Sequence, residues 1–348
     1  MNHLHIINDA IDHFNYLVNN VASHSNVLND TLYPQPYTYL TTHYICMKVA
    51  GFENINFDFL TVISGASALF AYEPNEFMPK YAHMHIDIDK RIEEATGFGW
   101  EWLEPDTADE CFDMLKESID HKKPVKSTLY ENILFVGYID NENKKKRKLY
   151  ILSDGAGYYN DWVNWKAFIH WFKEWGKTGL GRFTKRMDTL PEKEIAARVL
   201  CDIVNWSVEP PEEVKNRYPK AKFGLKGIEE YANDCGNTEK YKDWRACHDI
   251  NPQWVTRHSS AIFLKKLVNE NIFNSDTNLH LQKSSELFMA SYQNWRIFYH
   301  YLGHVASKKA GKNKINRKNG ANAIRKALAY EKQAINEIKT GIQVLNDH

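Results

Sequence analysis

The sequence predicts an α+β protein in two parts: an α+β domain with a small antiparallel sheet over residues 1–180, and an all-helical region over 181–348. Three observations carry that expectation. Short apolar and β-branched runs stand at Val125 to Leu129, Ile133 to Tyr138 and Leu149 to Leu152, the last two joined by the charged turn Asp140 to Lys148 as a hairpin with its tip in solvent. From Thr189 onward apolar residues recur three and four apart in one stripe after another, the spacing of helices that bury one face. The composition, 43% apolar and 25% charged over 348 residues, is that of a globular protein with a sizeable core.

Taken in order, Ile7, Ile11, Phe14, Leu17 and Val21 mark a first amphipathic helix. Pro34 and Pro36 break the chain, and Tyr37, Leu40, Tyr44 and Met47 recur at helical spacing up to Gly51, which suits a helix stop. The apolar run Phe57 to Phe70 is interrupted by Ser64-Gly65-Ala66-Ser67, small residues that point to close backbone approach or to a turn lining a cavity. Asp87 is placed to cap a helix over Ile88 to Thr96 that ends at Gly97. Ala108, Cys111, Phe112, Leu115 and Ile119 form the next stripe, and Trp162, Trp165, Phe168 and Phe172 an aromatic helix before a glycine-bearing linker, Gly176 to Gly181.

The back half offers Ile195, Val199, Ile203 and Trp206, then Leu225, Ile228, Tyr231 and Cys235, then Ala261, Leu264 and Val268. Two longer stripes follow, one through Phe288, Tyr292, Trp295, Tyr299 and Leu302 and one through Ile324, Leu328, Ile335, Ile338, Ile342 and Leu345. No fixed period repeats, which argues against a solenoid. Between the two, Lys308 to Lys318 holds six positive residues and no negative one. That run reads as a solvated loop in preference to a phosphate-binding patch.

Net charge is zero, so nothing global steers the chain toward nucleic acid or an acidic membrane. Five scattered cysteines without a CxxC pair make neither a disulfide framework nor a zinc site. Met1 to Val21 carries Asp9 and Asp12 among spaced apolars, unlike a signal peptide, and no segment is apolar enough to span a membrane. A cytoplasmic protein without a cofactor is expected. Aromatics reach 13% with ten tryptophans, which points to a ring-rich core and leaves room for a ring-lined pocket.

The order of elements from Tyr33 to Trp175, a helix after a proline-bearing entry, a small-residue turn, further helices and a hairpin ending in Asp154, resembles the papain-type fold. It is similar to bacteriocin-processing peptidases and to the butirosin-biosynthesis acyltransferase group, whose papain-like domain also precedes a helical region. The resemblance implies a cysteine at the start of the helix leading to Gly51, a histidine opening the strand Ile133 to Tyr138, and an aspartate or asparagine ending the next strand. Only Asp154 matches. The helix starts Tyr37-Thr38-Tyr39-Leu40, and Glu131 falls where the histidine belongs. Thiol chemistry needs a thiolate eased by the helix dipole and an imidazole to hold its proton, and a carboxylate cannot replace that imidazole. Cys46 lies some two turns too far along the helix. The resemblance therefore implies a cleft made by Tyr39, Glu131 and Asp154, with Thr38 and Ser64 beside them.

His83, His85, Asp87 and Asp89 would share one face if their stretch were extended, a weak candidate for a divalent metal. Asp154-Gly155-Ala156-Gly157 lacks the lysine of a phosphate loop, and neither GxSxG nor HExxH occurs. The expectation is a degenerate papain-like cleft, a pseudoenzyme that binds a small molecule or peptide. An acyltransferase or amide hydrolase with an unusual residue set is one alternative, a helical interaction scaffold another. Oligomeric state and ligand identity are not legible.

Overall fold

A computed structural model describes residues 3–21, 38–74, 78–80, 82–127, 132–153, 159–175, 179–241, 253–302 and 311–346. In chain order the elements are β1 (His3–Ile6), α1 (Asn8–Val21), α2 (Thr38–Val49), α3 (Phe57–Ile63), β2 (Ala71–Glu73), β3 (Met78–Pro79), α4 (Ile88–Thr96) and β4 (Phe98–Leu103). Next come α5 (Ala108–Asp120), β5 (Val125–Ser127), β6 (Ile133–Asp140), β7 (Lys148–Ser153), β8 (Tyr159–Asn164), α6 (Trp165–Trp175) and β9 (Leu180–Arg186). The chain continues with α7 (Glu192–Trp206), α8 (Glu212–Arg217), β10 (Lys222–Phe223), α9 (Gly224–Gly236), α10 (Gln253–Asn269), α11 (Ser275–Leu302) and α12 (Lys314–Asn346). The class is α+β, as the sequence predicts, with an all-helical stretch at the C-terminal end.

Two compact units share these elements. One contains β1, α1, α2 and everything in Thr96–Asp188; the other joins Asp58–Ala95 to Thr189–His348. Where the sequence suggests a single boundary at 180, the segment Asp58–Ala95 groups with the C-terminal helices. The linker expected up to Gly181 is also not one at its far end, because Leu180 and Gly181 open β9.

The first unit is built on an antiparallel sheet in the order β4-β9-β5-β6-β7-β8, with β1 paired to the far end of β6. The expected hairpin is β6–β7, in register at Leu134↔Leu152 and Phe135↔Ile151. Ile133 through Val136 are all buried, so this strand is covered on both faces and reads as a continuous apolar run. Rings of the helices pack on it. Phe168 lies edge-on to Phe135 at 5.9 Å, and Phe112 edge-on to Tyr138 at 6.1 Å. Trp162 belongs to β8, where it packs on Tyr150 across the pair, and the aromatic helix starts only at Trp165.

In the second unit β10, β2 and β3 make a small antiparallel sheet, and α10, α11 and α12 supply most of the core, including Leu264, Phe288, Trp295 and Ile338. Glu331 of α12 is a buried hub. It accepts from Arg257 at 2.6 Å and from Ser291 and Trp295 at 2.8 Å each. The basic run differs from the expected solvated loop. Residues 308–310 lie outside the described ones, α12 begins at Lys314, and Arg317 is buried. Its guanidinium donates to the carbonyls of Cys235, Asn237, Asp234 and Tyr241, satisfying groups that the end of α9 leaves without helical partners. Among the described residues no helix is long and apolar enough to cross a membrane.

Candidate functional site

The first turn of α2 lies against the middle of the large sheet, and the contact is made by charge and rings. Residues four apart stack on one helix face, so Tyr39 and His43 are neighbours, with ring centroids 4.9 Å apart. The Tyr39 carbonyl accepts from Thr42 Oγ1 and from His43 Nδ1, each at 2.8 Å. A carbonyl can only accept, so Nδ1 carries the imidazole proton and Nε2 is left with its lone pair.

Lys126 of β5 points at that lone pair. Its Nζ donates to Tyr39 Oη at 3.0 Å and lies 3.3 Å from His43 Nε2. The residue is only 2% exposed. Three rings surround the ammonium, with centroids of Tyr39 and Trp100 at 4.4 Å and of Trp102 at 4.7 Å. Such faces are electron-rich and attract a cation, most strongly where water is excluded.

The sheet register explains the ring box. Trp102 of β4 pairs with Gly181 of β9, which pairs with Lys126 of β5, so all three share one row across the sheet. Gly181 is the gap in that row. A Cβ there would meet Trp102 Cζ3 at 3.1 Å and Trp100 Cε3 at 3.3 Å, so the missing side chain lets both indoles lean over the strand toward the lysine. Trp100, two residues before Trp102, is on the same face, edge-on to His43 at 5.1 Å. Its buried indole N–H finds no acceptor among the described residues, whereas Trp102 is 45% exposed.

Of the residues expected from the sequence, Tyr39 lies in this cluster and Thr38 opens its helix. Glu131 and Asp154 lie outside the described residues. Ser64 belongs to the second unit, where its hydroxyl donates to Thr61 O at 2.9 Å and accepts from the Ala66 amide at 3.2 Å, closing the small-residue turn. In that turn Gly65 has φ +82°, and a Cβ on it would come within 2.7 Å of Trp206, the close approach its size predicts.

The extended reading of His83 to Asp89 does not hold. Ala82–His85 is a 3-10 turn, Ile88 starts α4, and Asp87 caps it through the Lys90 amide at 2.9 Å. Burial, aided by the charge of His85, pushes the His83 imidazole down to about 3, and His85 Nε2 meets Tyr218 Oη at 3.0 Å. No group of three His, Cys, Asp or Glu among the described residues could hold a metal ion.

Cys46 sits one turn beyond His43, buried, with its sulfur 3.8 Å from the Pro124 carbonyl. Burial pushes its thiol up to about 12, although the Lys126 charge pulls the other way. A thiol held protonated is no nucleophile. The sequence reading missed His43, Trp100, Trp102 and Lys126. The signals were present: Tyr39 and His43 at helical spacing, Phe98, Trp100 and Trp102 at the alternation of a strand, and a lysine inside a β-branched run.

The cluster thus joins an ammonium, a phenol, a neutral imidazole and two indoles, enough to grip a ligand by hydrogen bonds and ring faces. The chain matches no protein-family model and no curated protein, so these residues carry the functional argument alone.

Proposed function

We propose that the first unit is a papain-like ligand-binding domain that has given up Cys–His catalysis and holds a small molecule or peptide at Tyr39, His43, Trp100, Trp102 and Lys126. The observation that carries this reading is the Lys126 ammonium, boxed by three rings at the first turn of α2, where the papain-type resemblance expects a thiolate. The half-exposed Trp102 offers a flat apolar face on which a ligand ring or a peptide side chain can stack. The thiol nearest the site is buried and held protonated. Cytoplasmic residence belongs to the same proposal, since the described cysteines are all free and most are buried.

A thermal-shift screen with metabolites and short peptides tests the site. Ligands that raise Tm in the native protein and lose that effect in Trp102→Ala are expected; ligands that act equally on both would place the site elsewhere. A thiol-directed acyl probe read by mass spectrometry should leave Cys46 unmodified, and its acylation would restore thiol chemistry. The same contacts support a second reading, acyl transfer or amide hydrolysis, because an ammonium between a phenol and an imidazole forms an acid–base set. Turnover of an activated ester that disappears in Tyr39→Phe would favour it.

A further inference from the structure

The tip of the β6–β7 hairpin carries Lys144-Lys145-Lys146-Arg147-Lys148, cations in unbroken succession. Arg147 turns inward over the Phe112 ring at 4.5 Å and pairs with Asp140 and Asp109, and Lys144 pairs with Asp109 at 3.0 Å. Lys145, Lys146 and Lys148 are exposed and form no ion pair among the described residues. The turn keeps these like charges together. Asn143 Oδ1 accepts from the Lys145 amide at 3.1 Å, and the Asn143 carbonyl accepts from the Lys146 amide at 2.8 Å. The Trp165 amide donates to the Arg147 carbonyl at 3.1 Å, which sets the exposed Lys166 of α6 beside the tip. Within residues 141–148 the opposing carboxylate is Glu142, also exposed.

Rings lie alongside. Leu149 and Ile151 of β7 face the helices with their partners Tyr138 and Phe135, so Lys148 and Tyr150 turn to the opposite face of the sheet. There Tyr150 pairs with Trp162 of β8, the rings edge-on at 4.9 Å and both half-buried, and Lys148 pairs with Asn164. β8 is the last strand on that side. Ammonium groups for phosphates beside ring faces for bases are the two parts of a surface that holds a single strand. An acidic membrane fits less well, because residues 141–148 offer no apolar side chain to bury among lipid tails.

We propose that this surface binds a single-stranded nucleic acid, its phosphates on Lys145, Lys146, Lys148 and Lys166 and a base against Trp162 and Tyr150. Contacts to phosphates and base faces ignore both the 2′-hydroxyl and the base edges, so RNA and DNA strands bind alike. The zero net charge of the chain adds no steering of its own, and the attraction is local and salt-sensitive.

Fluorescence anisotropy of labelled oligothymidylate and oligouridylate dodecamers with the full chain tests it. Both are expected to bind at low salt with affinities within about threefold of each other, and log K should fall against log[salt] with a slope of about −3, as four lysine–phosphate contacts require. Lys145→Ala combined with Lys146→Ala should roughly halve that slope. Trp162→Ala should weaken binding about tenfold and leave the slope unchanged. Inorganic polyphosphate, which has phosphates without bases, should compete at least tenfold less well than unlabelled oligothymidylate at equal phosphate. No binding at low salt, binding untouched by the lysine pair or by Trp162→Ala in a folded protein, or equal competition by polyphosphate or by phosphatidylserine vesicles would overturn the proposal. The two lysine substitutions touch no packed group, so they and the polyphosphate competition decide alone if Trp162→Ala fails to fold.

Discussion

Single side chains decide the local physics in both units. Gly181 is the sharpest case, because its missing Cβ is what lets Trp100 and Trp102 reach Lys126. Gly181→Val is expected to cost on the order of 1–2 kcal/mol by overpacking and to shift tryptophan emission, both read in one urea melt followed by fluorescence. Glu331 sets the opposite kind of dependence. Glu331→Gln leaves the Arg257 charge buried without its counter-ion, and a loss of about 3–5 kcal/mol is expected from chemical denaturation. His83 adds a pH dependence. The unfolded chain protonates it below its ordinary 6.5, while the folded protein refuses the proton until near 3, so stability falls as pH drops between those values and is untouched above them. Urea melts at pH 7 and pH 4.5 should show that loss shrinking by about 2–3 kcal/mol in His83→Gln.

At the scale of elements, legibility followed pattern. Helices with a clean stripe and a marked end were readable: α2 stops with Gly51 at φ +81°, α4 is capped by Asp87, α11 buries its whole expected stripe, and α7, α9 and α12 bury most of theirs, with Trp206, Leu225, Ile335 and Ile342 half-buried and the Leu345 side chain outside the described ones. Helix α5 was legible too. Its start adds a cap, with Thr107 Oγ1 accepting from the Glu110 amide at 3.1 Å while Glu110 reaches back to the Asp106 amide at 2.7 Å. Thr107→Ala should lower stability by about 1 kcal/mol in a thermal melt. Strands β1, β8 and β9 were not foreseen, because their sequences carry lysine, arginine, histidine, asparagine and glycine and only pairing with buried neighbours makes them strands; β4 was missed although Phe98, Trp100 and Trp102 alternate as a strand requires. The candidate site went the same way. Tyr39 was legible from its helix, but Lys126 acquires meaning only from the cross-strand row with Gly181 and Trp102, which no local pattern encodes.

For the whole molecule, the chain order of the units matters more than any single boundary. A cut after residue 180 would remove β9 from between β4 and β5, so a fragment 1–180 should melt without cooperativity in circular dichroism. The C-terminal helices alone, from Thr189, would lose β2 as the partner of β10, Arg91 as the partner of Asp202, and Asp58, which accepts from Ser259 at 2.7 Å. That fragment is expected to melt well below the full chain, and an equal Tm would show that residues 58–95 add nothing to it.

The same order governs synthesis. Residues 58–95 leave the ribosome before the first unit is finished and about a hundred residues ahead of α7, roughly five to twenty seconds at ordinary elongation rates. Throughout that interval Leu60, Ile63, Phe70 and Tyr72, all buried in the finished protein, await the helices that cover them. The nascent chain therefore offers chaperones a sticky segment with a defined lifetime, and slowing translation between residues 96 and 188 should prolong that lifetime and raise the aggregated fraction.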